Sequence, residues 1–404
     1  MNTRYQLVLD KKIARPVAYL LNFVVRLAGQ LLRINHSLDK EFKTIAVCKF
    51  KGMGSIIQAT PMLAAIKSKY PNVELIFVST KGNKAILSKI DSIDTLVTID
   101  DSSLFSFAIS NLKSLLFLIK KRPEVYIDLE IYSDFSTLFT LFSLSVNRIG
   151  FYLRSSSFRM GMYTHMMFFN PKVPISKVYL QMAHLIGCGV ENTELIPLSK
   201  TIHKPFEHVR KYIVINPNSS DLRLERRWAA KNFIELINRM LIALPEYDIL
   251  LIGSKTEQDY TESIVDIFKD ERVQNLAGKT SIDEAITVIN NATAMITNDT
   301  GPMHLAFALN TPVVCLFGPC SPEQYGMSKN ATIIYKNTYC SPCVHDFEIA
   351  PCNGNNICMQ LISVEEVYNE LLHLLSADKS RIKNSSNPIF SVDSEVLGIV
   401  QRQH

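Results

Sequence analysis

This chain carries little net charge. Its 43 lysines and arginines nearly balance 38 aspartates and glutamates, leaving a formal +5 over 404 residues, too little to argue for a nucleic-acid partner. Low-complexity stretches are absent apart from SRIKNSSNP (380–388), which reads as an exposed link to a short tail. A hydrophobic content of 47% with 20% charged residues excludes a disordered chain. No uninterrupted apolar run is long enough for a membrane span, which takes roughly 20 residues. The nearest approach, RPVAYLLNFVVRLAGQLLRI (15–34), is broken by Asn22, Arg26, Gln30 and Arg33, and no small-residue cleavage site follows it. A secretory signal peptide is therefore not expected.

The small positive balance sits in one place. Residues 1–35 hold Arg4, Lys11, Lys12, Arg15, Arg26 and Arg33 against the single acid Asp10. The four interrupting polar residues recur at helical spacing, so they form one stripe on a helix otherwise covered by Leu20, Leu21, Val24, Val25, Leu27, Leu31 and Leu32. Two readings stay open: a helix lying on an anionic membrane surface, or one packed on the body of the protein. A cytoplasmic protein, peripheral to the inner membrane face under the first reading, is the expectation.

Beyond this segment, continuous apolar runs alternate with helical patterns. KTIAVCKF (43–50), VELIFVST (73–80), TLVTID (95–100) and VYIDL (125–129) read as buried strands, with a long amphipathic helix at 104–122. The alternation weakens from about residue 150. It resumes with KYIVIN (211–216), YDILLIGS (247–254), VQNLAG (273–278), TAMITN (293–298) and PVVCLFG (312–318). Strands of this kind belong to parallel sheets covered on both faces. The expected architecture is α/β: two doubly wound, Rossmann-like domains facing across a cleft. Its parts are an N-terminal amphipathic helix (1–40), a first domain (41–200), a second domain (201–378) and a C-terminal tail (379–404).

One short stretch carries the chemistry. In ITNDTGPMHLAFALN the strand ends at the turn Asn-Asp-Thr-Gly, and Pro302 suits the first turn of a helix. Such a helix begins at the carboxyl edge of the sheet, where ligands bind. Its free N–H groups and positive dipole end suit a phosphate, with Gly301 allowing close approach, Thr300 offering a hydroxyl and His304 on the first turn. Asp299 and Thr300 as mere caps, with His304 a core residue, is the plainer alternative.

The segment DTGPMH…TPVVCLFGPCSP resembles the signature of the family 9 glycosyltransferases, the heptosyltransferases acting on lipopolysaccharide. AVCKFKGMGSIIQATPML resembles that family's first strand, glycine turn and helix. INPNSSDLRLERRWAAKNFIELI resembles the entry to its second domain, and DILLIGSKTEQDY the strand that follows. Together these cover roughly residues 43–370. The resemblance implies the GT-B fold, a nucleotide-diphospho-sugar donor such as an ADP-sugar held by the second domain, and a glycolipid acceptor at the first. By motif match, Asp299, Thr300, Gly301, Pro302 and His304 would meet the donor, with Asn218 and Ser219 lining the same pocket and Gly253 and Glu257 facing the nucleoside. Arg226 or Arg227 would neutralise the leaving diphosphate. The implied transfer is inverting and needs no metal cofactor.

In one respect the sequence departs from the family. The glycine turn is followed by Ser55 where the family has its general-base aspartate, and a serine hydroxyl cannot take up a proton at neutral pH. Three explanations stand: another carboxylate such as Asp128 or Glu130 serves, the departing phosphate takes the proton, or the reaction has been lost or changed. A non-catalytic nucleotide-sugar or glycan-binding protein, or an epimerase on the same fold, are the rival functions.

Two clusters complete the reading. Cys340, Cys343, Cys352 and Cys358, with His345 beside them, are either reduced, packed thiols or the ligands of a structural zinc. Arg148, Arg154 and Arg159 form a basic stretch that would attract an anionic acceptor or simply face solvent, and Arg148 and Arg154 are the candidate acceptor contacts.

Overall fold

The computed structural model describes residues 10–196, 198, 206, 208–219, 223–344, 350, 352 and 354–376. The expected tail at 379–404 and His345 lie outside them, as does much of the boundary expected between the two domains at residues 200 and 201.

Among the described residues, twelve strands form two sheets, each entirely parallel. The first contains β1 (Thr44–Cys48), β2 (Glu74–Thr80), β3 (Thr95–Ile99), β4 (Val125–Asp128), β5 (Asn147–Tyr152) and β6 (His165–Phe168), in the order β3-β2-β1-β4-β5-β6. The second contains β7 (Lys211–Asn216), β8 (Tyr247–Leu251), β9 (Val273–Asn275), β10 (Ala294–Asn298), β11 (Val313–Phe317) and β12 (Ala331–Tyr335), in the order β12-β11-β10-β7-β8-β9. Numbered within its own half, each sheet has the doubly wound order, and its strand order reverses between the first and fourth strands. β1, β2, β4, β8, β10 and β11 are buried almost throughout, which is why they read as unbroken apolar runs.

β5 and β6, where the sequence pattern weakens, are nonetheless strands. Asn147 and Arg148 open β5, and β6 lies at the sheet edge with Phe168 exposed. A half-covered edge strand has no need of an apolar run.

The helices that flank these sheets include α1 (Arg15–Leu32), α2 (Met53–Gln58), α3 (Thr60–Lys69), α4 (Leu104–Lys121) and α5 (Asp134–Phe142). Later in the chain come α6 (Ile175–His184), α7 (Ala230–Ala243), α8 (Gln258–Val265), α9 (Ile282–Asn291) and α10 (Gly301–Ala308). Asp10, ahead of α1, accepts the N–H groups of Asp134 and Phe135 and so caps α5. Arg15 pairs with Asp134 at 2.7 Å. α1 is thereby pinned to the start of α5, at the carboxyl edge of the first sheet.

α1 meets the protein with small and polar side chains. Ala18 and Asn22 are its buried residues, with Ala14 buried just ahead of it, and the Asn22 amide donates to the carbonyls of Phe158 and Met160. The Arg26 guanidinium donates to Met160 O at 2.9 and 3.1 Å. Part of the polar stripe therefore faces the body, while Leu20, Phe23, Leu27 and Leu31 face outward. Among the described residues no helix is long and apolar enough to cross a membrane.

Candidate functional site

The chain leaves each sheet's first strand at the carboxyl edge, and the two edges face each other. In the first half, β1 runs into Lys49–Ser55, where Gly52 has φ +88°, a left-handed conformation that disfavours a side chain. The turn is held from below by Glu130, two residues past β4. One carboxylate oxygen accepts the N–H groups of Phe50 at 2.8 Å and Lys51 at 2.9 Å, and the other pairs with Lys49 Nζ at 2.8 Å. Burial works against ionising Glu130, but Lys49 and the two N–H groups outweigh it and lower its pKa.

In the second half, β10 ends at Asn298 and α10 begins at Gly301. Pro302 occupies the first turn, where its missing N–H costs no helical hydrogen bond. Asn216, at the end of β7, donates to the hydroxyls of Thr297 (2.9 Å) and Thr300 (2.7 Å). Asn298 reaches back to the carbonyls of Pro217 and Asn218 at 2.9 and 3.1 Å and accepts the N–H of Trp228. These amide side chains lock the start of α10 to the loop after β7.

Between the two halves lies a cleft of about 610 Å³. Its lining includes Gly52, Gly54 and Ser55 from the glycine turn, and Asn216, Arg226, Gly253, Glu257 and Asp299–Pro302 from the second half. His304 joins the halves. Its Nδ1 stands 3.0 Å from Gln58 Nε2, a donor, which leaves the ring proton on Nε2. Burial holds its pKa down to about 4, against a smaller opposing pull from Asp299. The ring therefore enters the cleft uncharged.

Arg226 is the cleft's cation. Burial works against its charge, yet with Cys320 and Asp299 alongside its pKa is raised, and it remains a guanidinium. Asp299 Oδ2 lies 3.5 Å from its Nη1 without a hydrogen bond, while the same nitrogen donates to the Asp299 carbonyl at 3.4 Å. Arg226 Nε is buried and has no hydrogen-bond partner among the described residues. This cation keeps donor capacity for an anion, beside the free N–H groups of α10.

Not every residue singled out in the sequence reaches the cleft. Arg227 stacks on Tyr260, its guanidinium carbon 3.9 Å from the ring centre, so of the two arginines Arg226 is the cleft residue. Asn218 is buried behind the cleft, donating to Ile252 O at 2.8 Å and packing under Gly253, where a Cβ would come within 2.5 Å of its amide. Ser219 is likewise buried, its carbonyl accepting from Arg227. Glu257 lines the cleft while its carboxylate caps Ser254 through both N–H and hydroxyl at 2.7 Å.

Asp128 is a correction. It is wholly buried, accepts the Tyr163 hydroxyl at 2.5 Å, and has its pKa raised by burial; it cannot meet an acceptor hydroxyl. The basic stretch is another. Arg148 donates to Met162 O and Ser145 O, both at 2.7 Å, and Arg159 is buried against the carbonyls of Glu130, Phe151 and Ser133. Only Arg154 of the three is exposed, and neither Arg148 nor Arg154 lines the cleft. Ser55 does line it, hydrogen-bonded to the buried Tyr179. Lys49, Gln58 and Asn216 escaped the sequence reading, because a polar residue inside or beside an apolar strand gives no local sign of its partner.

The four clustered cysteines are free thiols, and Cys340, Cys343, Cys352 and Cys358 lie within electrostatic reach of one another. Among the described residues, no group of three or more His, Cys, Asp or Glu side chains stands in metal-holding geometry.

Comparison with known proteins sets this cleft in context. Residues 193–352 match the model of Glycosyltransferase family 9 (heptosyltransferase). The chain is 37% identical over 113 residues to lipooligosaccharide heptosyltransferase 2 of Haemophilus influenzae, an alignment covering 27% of this chain and only 32% of that protein. It is 23% identical over 331 residues to lipooligosaccharide heptosyltransferase 2 of Campylobacter jejuni, covering 80% of this chain and 95% of the relative. In fold it is similar to the ADP-heptose lipopolysaccharide heptosyltransferase II of Escherichia coli, with a TM-score of 0.66 at 21% identity over 82% of this chain and 98% of the other.

The contact between halves has two measurable consequences. A Cβ on Gly54 would lie 2.1 Å from the His304 ring, whereas one on Gly301 would meet only the flexible end of Met53, at 2.4 Å. Gly54→Ala is expected to destabilise the protein by about 1–3 kcal/mol and Gly301→Ala by clearly less, as read from chemical denaturation. The second consequence concerns pH. The folded pKa of His304 lies below its ordinary 6.5, so the unfolded chain takes up the proton first as pH falls. Its contribution is full above pH 6.5 and declines toward pH 4. At about 1.4 kcal/mol per pH unit, the parent should lose ~2 kcal/mol more than His304→Gln between about pH 6.5 and 5. Equal losses in the two proteins would refute this.

Proposed function

We propose that the chain is a member of glycosyltransferase family 9 and that it moves a heptose, or a closely related sugar, from an ADP-sugar to a hydroxyl of a lipopolysaccharide-type acceptor, a reading supported by the family match over residues 193–352 and by the similarity to heptosyltransferases. The observation that carries the reading is the anion seat made by the start of α10 and the half-buried Arg226, whose buried Nε has no hydrogen-bond partner among the described residues. A sugar leaving a diphosphate puts negative charge on a phosphate oxygen, and preorganised N–H donors and a guanidinium stabilise that charge as it forms. The Ser254–Glu257 turn, next to Gly253, would take the nucleoside, and the glycine turn would take the acceptor.

In this reaction the acceptor oxygen attacks the anomeric carbon from the face opposite the diphosphate. The carbon–oxygen bond to phosphate breaks, and the configuration inverts. Among the described residues the only carboxylates lining the cleft are Glu257 and Asp299, both on the donor side. Asp128 is buried and Glu130 is committed to the turn. We therefore assign the acceptor proton to solvent water on the acceptor side of the cleft, released as the new carbon–oxygen bond forms, with Ser55 orienting the hydroxyl. His304, neutral with its proton on Nε2, would act as a hydrogen-bond donor rather than a base.

A second reading has one observation in its favour. Ser55 stands at the turn, and among the described residues no carboxylate lines the acceptor side of the cleft, so the protein would hold a nucleotide-sugar without transferring it. Purified protein incubated with ADP-heptose and heptose-deficient lipopolysaccharide separates the two, by ADP release and acceptor mass. Transfer by the parent, reduced about 10²–10³-fold in Arg226→Ala, supports the transferase. ADP binding without transfer, with turnover appearing only in Ser55→Asp, supports the binding protein.

A further inference from the structure

Two helices of the first half are turned the wrong way for a protein surrounded by water. α1 buries Ala18 and Asn22 and leaves Leu20, Phe23, Leu27 and Leu31 in solvent, with Phe23 71% and Leu31 77% exposed. α4 repeats the arrangement. Ser114 is buried together with Leu118, and Asn111 and Ser110 are half-buried, while Leu104, Phe105, Ile109, Leu112, Leu116 and Ile119 are exposed at helical spacing. An amphipathic helix in water does the reverse, and soluble monomers rarely leave apolar patches of this extent uncovered.

The two faces are connected through α5. Asp10 and Arg15 anchor the start of α1 to it, and Phe107 of α4 packs on Phe135 of α5 with ring centres 5.2 Å apart. Exposed Phe142, Leu144 and Val146 follow at the far end of α5, where His36 beyond α1 bonds the Val146 carbonyl at 2.8 Å. The charge pattern names the occupant. Neither α1 nor α4 contains an aspartate or glutamate. Lys12, Arg33, Lys113 and Lys120 are exposed at or beside them, and the nearest acids, Asp10, Asp100 and Asp101, precede the helices rather than lying among their apolar side chains. We propose that α1 and α4 together form a docking face for an anionic phospholipid bilayer, lying in its interface with their leucines and phenylalanines among the acyl chains and the basic residues at the headgroups. The proposal is independent of the sugar-transfer reading, since it rests on these helices and not on the cleft.

Co-sedimentation of the full chain with vesicles tests it without any substrate. The parent should pellet with equimolar phosphatidylglycerol–phosphatidylcholine vesicles and much less with phosphatidylcholine alone. Leu20→Glu/Phe23→Glu should weaken binding at least about tenfold, and Leu112→Glu/Leu116→Glu likewise, since each removes two anchors from the interface. These side chains are exposed, so thermal melts of both variants should match the parent. Loss in the first variant but not the second would overturn the shared face. A parent that ignores anionic vesicles, or one that is a dimer split by these same changes, would overturn the bilayer as occupant.

Discussion

A single close approach sets the geometry of the cleft. The backbone at Gly54 stands against the ring of His304, leaving no room for even a methyl group between them. α2 and α10, one from each half, can therefore face each other at their starts. Gln58, one turn further along α2, bonds the same ring. The distance between the two carboxyl edges is thus fixed by packed atoms, and the residues on each edge need only be held relative to their own sheet. Glu130 does this for the glycine turn and Asn216 with Asn298 for the start of α10.

The same contact shapes the electrostatics. Two halves pressed together bury His304, and burial strips its charge. Arg226 is only half-buried, its side chain 23% exposed, and remains charged with Cys320 and Asp299 beside it. Removing a guanidinium from water costs several kcal/mol, which one imperfect ion pair does not fully offset. An anion at the start of α10, as proposed for the donor diphosphate, would meet that balance. A guanidinium that donates weakly to the Asp299 carbonyl, stands 3.5 Å from its carboxylate and leaves Nε without a partner among the described residues is not saturated by its own protein.

What could be seen in the sequence depends on how local each feature is. β1, β2, β4 and the strands around α10 were legible because both faces are buried and their apolar runs are unbroken. The seat at Asp299–His304 was legible because strand end, turn, proline and helix lie within a few residues. The contact between Gln58 and His304 spans 246 positions and leaves no mark on either segment. Asp128 misled for the opposite reason. Its place at a strand's carboxyl end is where a base would stand, but Tyr163 and Thr140 come from later elements to enclose it. Arg148 and Arg159 look like surface cations in the sequence, yet their own loop folds carbonyls onto them.

The amphipathic helices mark a different limit. Periodicity divides a helix into faces, but it says nothing of which medium each face meets. On α1 the spacing of Asn22 and Arg26 makes a stripe, and that stripe seeks the carbonyls of residues 158–160. The protein thus satisfies the backbone of its 154–160 loop with the polar side of a helix whose other side water does not suit. The anchor of that helix is the start of α5, and α5 carries Phe135 and Phe139 against Phe50, which leads into the glycine turn. One helix therefore connects the apolar face to the acceptor side of the cleft. The proposed docking face and the cleft are thus joined through packed aromatic rings, so the orientation of α1 and the geometry of the cleft answer to one arrangement of the chain.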